Sequence, residues 1–255
     1  MRVGFVGTGE ITAAMVRALA GQGHRILVSP RNLLTATALA SEFPEVSVVP
    51  NAEVVAQSDV VFLCLLAPVA FEILPDLPFR AGQQVISVMV DAPLSKLRLI
   101  CAPATDIAIT IPLPPIAKGG CPLPVYPASP PLESLFGAMN LLLPQPSETA
   151  LNAHLGASAL CSPILDQLLT AADWLAGHTG DPAAAEAYIA AMIRGYLPER
   201  AAAGDLAGAL RKLSTEGGLN ATLRAARAPA KDSLRLGLDE FHPRLVVADK
   251  EAGGI

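Results

Sequence analysis

Hydrophobic positions in the first half of the chain follow two rhythms. Short, almost continuous apolar runs occupy residues 2–6, 25–29, 46–49, 59–66, 84–90 and 106–112. Between them lie stretches with helical spacing; over residues 11–20, Ile11, Met15, Ala18 and Leu19 fall on one side. Residues 33–43 give a second helix that ends near Pro44, and Asn51 is placed to cap a short one holding Val54 and Val55. A run such as 59–66, apolar at nearly every position, suits a central parallel strand covered on both faces. Strands alternating with helices predict an α/β domain built on a doubly wound parallel sheet.

The texture changes after Pro112. Eight prolines fall between residues 111 and 131. Proline cannot donate a ladder hydrogen bond, so this region is expected as edge strand and loop. Residues 132–140 read as a helix and 141–143 as a last strand, and Pro144 and Pro146 mark a joint. From Glu148 on, only helical patterns remain, over 149–175, 182–195, 198–203, 205–213, 219–226 and 231–241. Residues 149–165 carry no acid or base, which predicts a buried helix. The expected domains are 1–147, with the sheet, and 148–241, all-helical, followed by a tail over 242–255.

Composition narrows the function. Of 255 residues, 52% are hydrophobic and only 16% charged, against roughly 25% in ordinary globular proteins. That excludes a disordered chain and predicts more buried or self-associating surface than an ordinary monomer needs. A net charge of −5 leaves no basic footprint for nucleic acid. The apolar run 60–71 contains Pro68 and falls short of the roughly 20 residues of a membrane span, so no membrane role is expected. The chain starts directly on a strand and carries Glu10, unlike a signal peptide, so a cytoplasmic address is expected. Cys64, Cys101, Cys121 and Cys161 form no CxxC pair and His residues number four, which argues against a metal site and for reduced thiols. His24, His154, His178 and His242 fit no serine–histidine–acid arrangement and are read as surface or packed residues.

The strongest local signal is Val3-Gly4-Phe5-Val6-Gly7-Thr8-Gly9-Glu10-Ile11-Thr12, where a strand ends and a helix opens. Gly7 permits a tight turn, and Gly9 lets the backbone approach a pyrophosphate at the helix N-terminus. Thr12 occupies the third small-residue slot. A site for NAD usually ends the second strand with an acid that holds the ribose 2′-hydroxyl. Here Ser29-Pro30-Arg31-Asn32 stands in that place. Arg31 offers a planar fork to a 2′-phosphate, with Ser29 and Asn32 as further donors. The expected cofactor is NADP(H), and the expected fold is Rossmann-like.

These segments, with Ser58-Asp59-Val60-Val61-Phe62-Leu63, resemble pyrroline-5-carboxylate reductase, an enzyme of proline biosynthesis. The likeness continues through Pro68, Ile86-Ser87 and Leu94-Ser95-Lys96-Leu97 to Ile111-Pro112, Gly119 and Tyr126-Pro127. In the helical half, Ser214-Thr215-Glu216-Gly217-Gly218-Leu219-Asn220 is similar to the family's Thr-Ser-Pro-Gly-Gly-Thr-Thr. The resemblance spans about residues 1 to 240. It implies that Gly7, Thr8, Gly9, Glu10 and Ile11, then Ser29, Arg31 and Asn32, then Leu65, Leu66, Ala67 and Pro68 hold the cofactor. It implies a substrate pocket with Leu113, Ser158, Leu160, Glu216, Gly217, Gly218, Leu219 and Asn220. It also implies a homodimer with interleaved helices and an active site between the two domain types.

Several family positions differ. Pro112-Leu113-Pro114-Pro115 replaces Pro-Asn-Thr-Pro, and Leu66-Ala67-Pro68 replaces Val-Lys-Pro. Ala157-Ser158-Ala159-Leu160-Cys161-Ser162-Pro163 stands for Ser-Gly-Ser-Gly-Pro-Ala-Tyr, and Leu219-Asn220 for two threonines. Polar clusters have become apolar together, which suits a less polar substrate. Family chemistry is hydride transfer to a cyclic imine, with the substrate carboxylate on N–H groups near Gly217-Gly218. Glu216 would oppose an anion and suit a cationic imine; its other reading is a first-turn acid complementing a helix dipole. Two function classes stand open. One is an NADPH-dependent reductase acting on pyrroline-5-carboxylate or a less polar relative. The other is a non-catalytic nucleotide-binding homologue acting as sensor or partner.

Overall fold

The computed structural model describes residues 1–197, 205–213 and 215–241; the helix expected at 198–203, Ser214, His242 and the rest of the tail lie outside them. Two compact units result, one over residues 1–155 and one made by the described residues from Gly156 on.

The first unit holds eight strands in one sheet: β1 (Arg2–Val6), β2 (Arg25–Val28), β3 (Val46–Val48), β4 (Val60–Leu63), β5 (Gln84–Ser87), β6 (Asp106–Thr110), β7 (Pro122–Tyr126) and β8 (Leu141–Pro144). Their order is β3-β2-β1-β4-β5-β6-β7-β8. Every neighbouring pair is parallel except β6 with β7. The first six strands therefore follow the Rossmann order 3-2-1-4-5-6. Helices α1 (Glu10–Leu19), α2 (Leu33–Glu42), α3 (Asn51–Gln57), α4 (Ala67–Ile73), α5 (Leu94–Ile100) and α6 (Pro130–Phe136) connect them.

The two-residue period of the strands sorts side chains to two layers. Val3 and Phe5 of β1, with Val60 and Phe62 of β4, join Met15, Val16 and Leu19 of α1 and Phe136 of α6. Val6, Val61 and Leu63 point the other way, into the layer of Val54, Ala70 and Leu97 from α3, α4 and α5. A sheet covered on both faces has no polar side, which is why 60–63 reads apolar without interruption. Phe62 stacks on Phe5 with ring centroids 5.0 Å apart and meets Phe136 edge-on at 6.0 Å.

Two expectations change. The apolar runs 59–66 and 84–90 are longer than the strands they contain, because the chain after Leu63 and Ser87 leaves the sheet as loops. The proline-rich strand β7 is not at an edge; it lies between β6 and β8. Cys121 and Val125 carbonyls accept from Leu141 and Gln145 on the β8 side, while the Pro124 carbonyl faces Ile111. By alternation the missing N–H groups of Pro122 and Pro124 point toward β6, whose last strand residue is Thr110, paired with Val125. The bond that Pro124 cannot donate is the one to the Ile111 carbonyl, just past the last residue of β6, so the prolines spare the β8 side of the ladder and interrupt only the end of the β6 side.

Helix α7 (Glu148–Ser158) begins in the first unit, where Leu151 is fully buried and Glu148 accepts the Leu94 N–H at 3.0 Å. In the second unit follow α8 (Cys161–Thr179), α9 (Pro182–Tyr196), α10 (Leu206–Lys212), α11 (Leu219–Ala226) and α12 (Ala228–Asp239). The helix expected over 149–175 is broken at Ala159–Leu160. Pro163 has no N–H for the Ala159 carbonyl, and the chain tightens, with Ala159 and Leu160 bonding three residues back to Gly156 and Ala157. Gly180, with φ +77, ends α8, and Asp181 caps α9 through the Ala184 N–H.

Residues 149–165 are not a buried helix within one chain. Leu160, Ile164 and Leu165 are exposed, as are Leu169 and Trp174 on α8 and Tyr188, Met192 and Tyr196 on α9. Contrary to expectation, residues 148–179 are long and apolar enough, by length and composition, to cross a membrane. The turn at 159–160 and the acids Asp166 and Asp173 make this stretch a costly span.

Candidate functional site

In this sheet, β1 and β4 lie side by side with Val6 opposite Leu63, yet their connections leave in opposite directions. The loops that follow them splay apart, and a crevice opens beyond the strand ends. A cleft of about 800 Å³ occupies that place, lined by residues 7–12, 31–32, 64–68, Phe71 and 88–91.

The glycine loop is fixed from below. Gly7 has φ +98, and a Cβ there would overlap the Cys64 carbonyl of the neighbouring strand end. Its N–H donates to the Ser29 hydroxyl at 2.8 Å, Thr8 donates its hydroxyl proton to the Ser29 carbonyl, and Thr12 Oγ1 donates to the Gly7 carbonyl at 2.7 Å. Ser29 is fully buried. This corrects the expectation that its hydroxyl faces a phosphate: Ser29 shapes the loop and does not line the cleft. Thr12 fits its small-residue slot because its hydroxyl is absorbed by the turn it packs against.

Gly9 differs from Gly7. Nothing lies within 4 Å of the position its Cβ would take. It is the N-cap of α1 and supplies no side-chain cap, so the first-turn N–H groups of that helix open on the cleft. Glu10 and Ile11 continue the wall, Glu10 at the exposed rim. At the end of β2, Arg31 is exposed and forms no ion pair among the described residues. Asn32 Oδ1 caps α2 by accepting the Thr35 N–H at 3.3 Å, which leaves its amide N–H2 as a donor.

The facing wall is Leu65, Leu66, Ala67 and Pro68, with Leu65 and Ala67 buried and Leu66 exposed. Cys64 lies beneath it. Burial pushes its thiol up to about 12, against a smaller opposing effect of the Thr12 hydroxyl, so at neutral pH it is an inert thiol. Phe71, Val88, Met89, Val90 and Asp91 were not anticipated. For 88–91 the signal lies in strand order, since β5 is next to β4 and its following loop must face the same crevice; Phe71 follows Pro68 by one turn of α4. Asp91 is the non-glycine residue with positive φ among those described, at +60. Lys96 Nζ sits 4.0 Å from the Phe71 ring centroid.

The residues implied for a substrate pocket are placed differently. Leu113, in the first unit, is half-buried against the α1 layer and does not line the cleft. The remainder are in the second unit. Ser158 ends α7, and Leu160 is exposed at the break before α8. Glu216 and Gly217, the latter with φ +72, lead to Gly218, the N-cap of α11. Leu219 is 90% exposed and Asn220 follows it on the same first turn.

Residues 2–91 match the family described as NADP oxidoreductase, coenzyme F420-dependent. No curated protein sequence matches the chain. Pyrroline carboxylate reductase from Plasmodium falciparum, solved with NADP bound, superposes with a TM-score of 0.76 at 14% identity, covering 100% of this chain and 98% of that one. The pyrroline-5-carboxylate reductase of Coxiella burnetii gives 0.72 at 20% identity, with 99% and 98% covered. A reductive aminase from Aspergillus terreus, in complex with NADPH and ethyl-5-oxohexanoate, gives 0.61 at 16% identity, with 98% and 94% covered. From the glycine loop to the helical unit, this chain has the fold of the pyrroline-5-carboxylate reductases.

Proposed function

We propose that the protein is an NADPH-dependent reductase of cyclic imines, acting on pyrroline-5-carboxylate or a less polar relative. The observation that carries this reading is the β2 end of the cleft, where an exposed Arg31 and the Asn32 amide stand in place of an acid. The open space at Gly9 and the uncapped start of α1 fit a pyrophosphate. Arg31 would hold the 2′-phosphate by charge-assisted bonds, and Leu65, Leu66 and Val90 would keep water from the reacting end. When bound, the cofactor supplies the hydride. The exposed apolar side chains of α8 and α9 support a homodimer in which a second copy covers them.

The test combines binding and turnover. Arg31→Ala should weaken NADPH by about 1–3 kcal/mol and leave NADH nearly unchanged, the scale of one lost charge-assisted bond. Calorimetry reads this difference; equal losses for both cofactors would refute the role of Arg31. Cofactor oxidation with a panel of cyclic imines then separates a reductase from a homologue that only binds nucleotide.

A further inference from the structure

The cleft wall over residues 88–91 is a span between two fixed points. At its start the Val88 N–H donates to the Leu63 carbonyl at 3.0 Å and the Met89 N–H to the Ser87 hydroxyl at 3.2 Å. Val90 and Asp91 then stand exposed on the cleft. The span ends where α5 opens, with Ala92 and Leu94 buried. Pro93 is the N-cap of that helix and makes no side-chain cap, so the first N–H groups of α5 lack a local acceptor. Glu148, 54 residues away in sequence, supplies one: its Oε1 accepts the Leu94 N–H at 3.0 Å. Its own helix does not need that carboxylate as a cap. Ser147 caps α7, accepting the Ala150 N–H on its hydroxyl and the Leu151 N–H on its carbonyl, each at 3.1 Å. Leu151, one turn on from Glu148, is fully buried in the layer that holds Met89, Ala92 and Leu94, which keeps the start of α7 beside the span.

Resting on the cofactor reading above, we propose that Glu148 is a positioning residue for the cleft: by closing the α5 end of the span, it holds the 88–91 wall in the place a bound dinucleotide requires. Glu148 does not line the cleft itself. It acts through the Leu94 N–H, as an acceptor and as a negative charge at a helix start. Without that acceptor the first turn of α5 frays and residues 90–93 gain freedom, while the bonds at Val88 and Met89 still secure the other end. A cleft whose wall is in place for a smaller fraction of the time binds its ligand more weakly by that fraction. The residue that opens the helical half of the chain therefore serves a site in the sheet-bearing unit.

The experiment combines NADPH calorimetry with hydrogen exchange on the full-length protein. Glu148→Gln keeps the acceptor oxygen without the charge. Glu148→Asp keeps the charge but is one methylene too short to reach the Leu94 N–H. Glu148→Ala removes both. The Ala and Asp variants should weaken NADPH about fivefold, the fold-change equivalent of one helix cap. They should also speed amide exchange over residues 90–94 while the amides of β1 keep their wild-type rates. The Gln variant should stay within about twofold of wild type in both measurements, because the bond survives. Should the Ala variant fail to fold, the contrast between Asp and Gln decides alone. NADPH bound by the Asp variant as tightly as by wild type overturns the proposal, and so does a Gln variant as weak as the Asp one. Exchange that rises equally in β1 marks a general loss of stability and overturns it too. Each of these outcomes leaves the cofactor reading intact, whereas a wild-type protein that binds no NADPH overturns both.

Discussion

The two glycines of the cofactor loop look alike in sequence and do different work. Gly7 is demanded by the fold: its positive φ and the carbonyl of Cys64 exclude any side chain. Gly9 is not, because its backbone is extended and the space beside it is open. Gly9→Val should therefore leave the melting temperature within about 2 °C of wild type and weaken NADPH at least about tenfold, since the new side chain fills the ligand's place. Gly7→Ala should destabilise the fold by more than about 2 kcal/mol. Thermal denaturation and calorimetry on the same two variants check the contrast. Glycine spacing was legible in the sequence, but the partition was not. It depends on Cys64, which only strand pairing brings beside Gly7. Ser29 misled for a related reason: its position at the strand end was right, yet its hydroxyl is consumed by the Gly7 N–H.

At the scale of elements, β1 and β4 are tied at their N-terminal ends by Asp59, which accepts the Arg2 backbone N–H at 2.9 Å and pairs with its guanidinium. The Arg2 side chain, followed by its N–H, holds the Asp59 carboxyl below the usual range. A carboxyl depressed in the folded state binds fewer protons there than in the unfolded chain. Its stabilising effect is thus present above the unfolded value of about 3.9 and is lost as pH falls through the lower folded value. Asp59→Asn should be less stable than wild type at pH 7 by a small amount, as befits an exposed pair, and the gap should close below about pH 4. Urea midpoints at several pH values measure it. Apolar runs and helical spacing located all of β1 to β6 because those elements are covered on both faces. The same apolar character hid where the strands stop, since residues 64–66 and 88–90 leave the sheet to line a cleft wall, where Leu65 and Met89 are buried but Leu66 and Val90 are exposed. The β7 prolines misled because a rule about ladder bonds was applied without knowing which side of the strand carries a neighbour at each residue.

For the whole molecule, the helical unit has more apolar side chains outside than in. Ala172 and Ala185 are its buried hydrophobic residues among those described, while Trp174, Tyr188 and Leu210 face outward. In the homodimer proposed above, a second copy covers these side chains. The expected outcome in sedimentation at micromolar concentration is a dimer burying more than the roughly 1,200–2,000 Å² of a standard complex. A single 26.4 kDa species at all concentrations would exclude it. The described helices of the unit were legible in the sequence apart from the break at 159–160, but the exposure of their apolar faces was not, because helical spacing marks an apolar face without telling whether the same chain covers it.

The packing of Gly7 on the Cys64 carbonyl also makes the glycine loop a long-range construction. Its fastening, Ser29, lies 22 residues further along the sequence, and its floor, Cys64, 57 residues further. The loop's shape therefore belongs to three strands together and not to its own glycines. A fragment that ends before Cys64 has those glycines without their floor and should give no heat with NADPH in calorimetry.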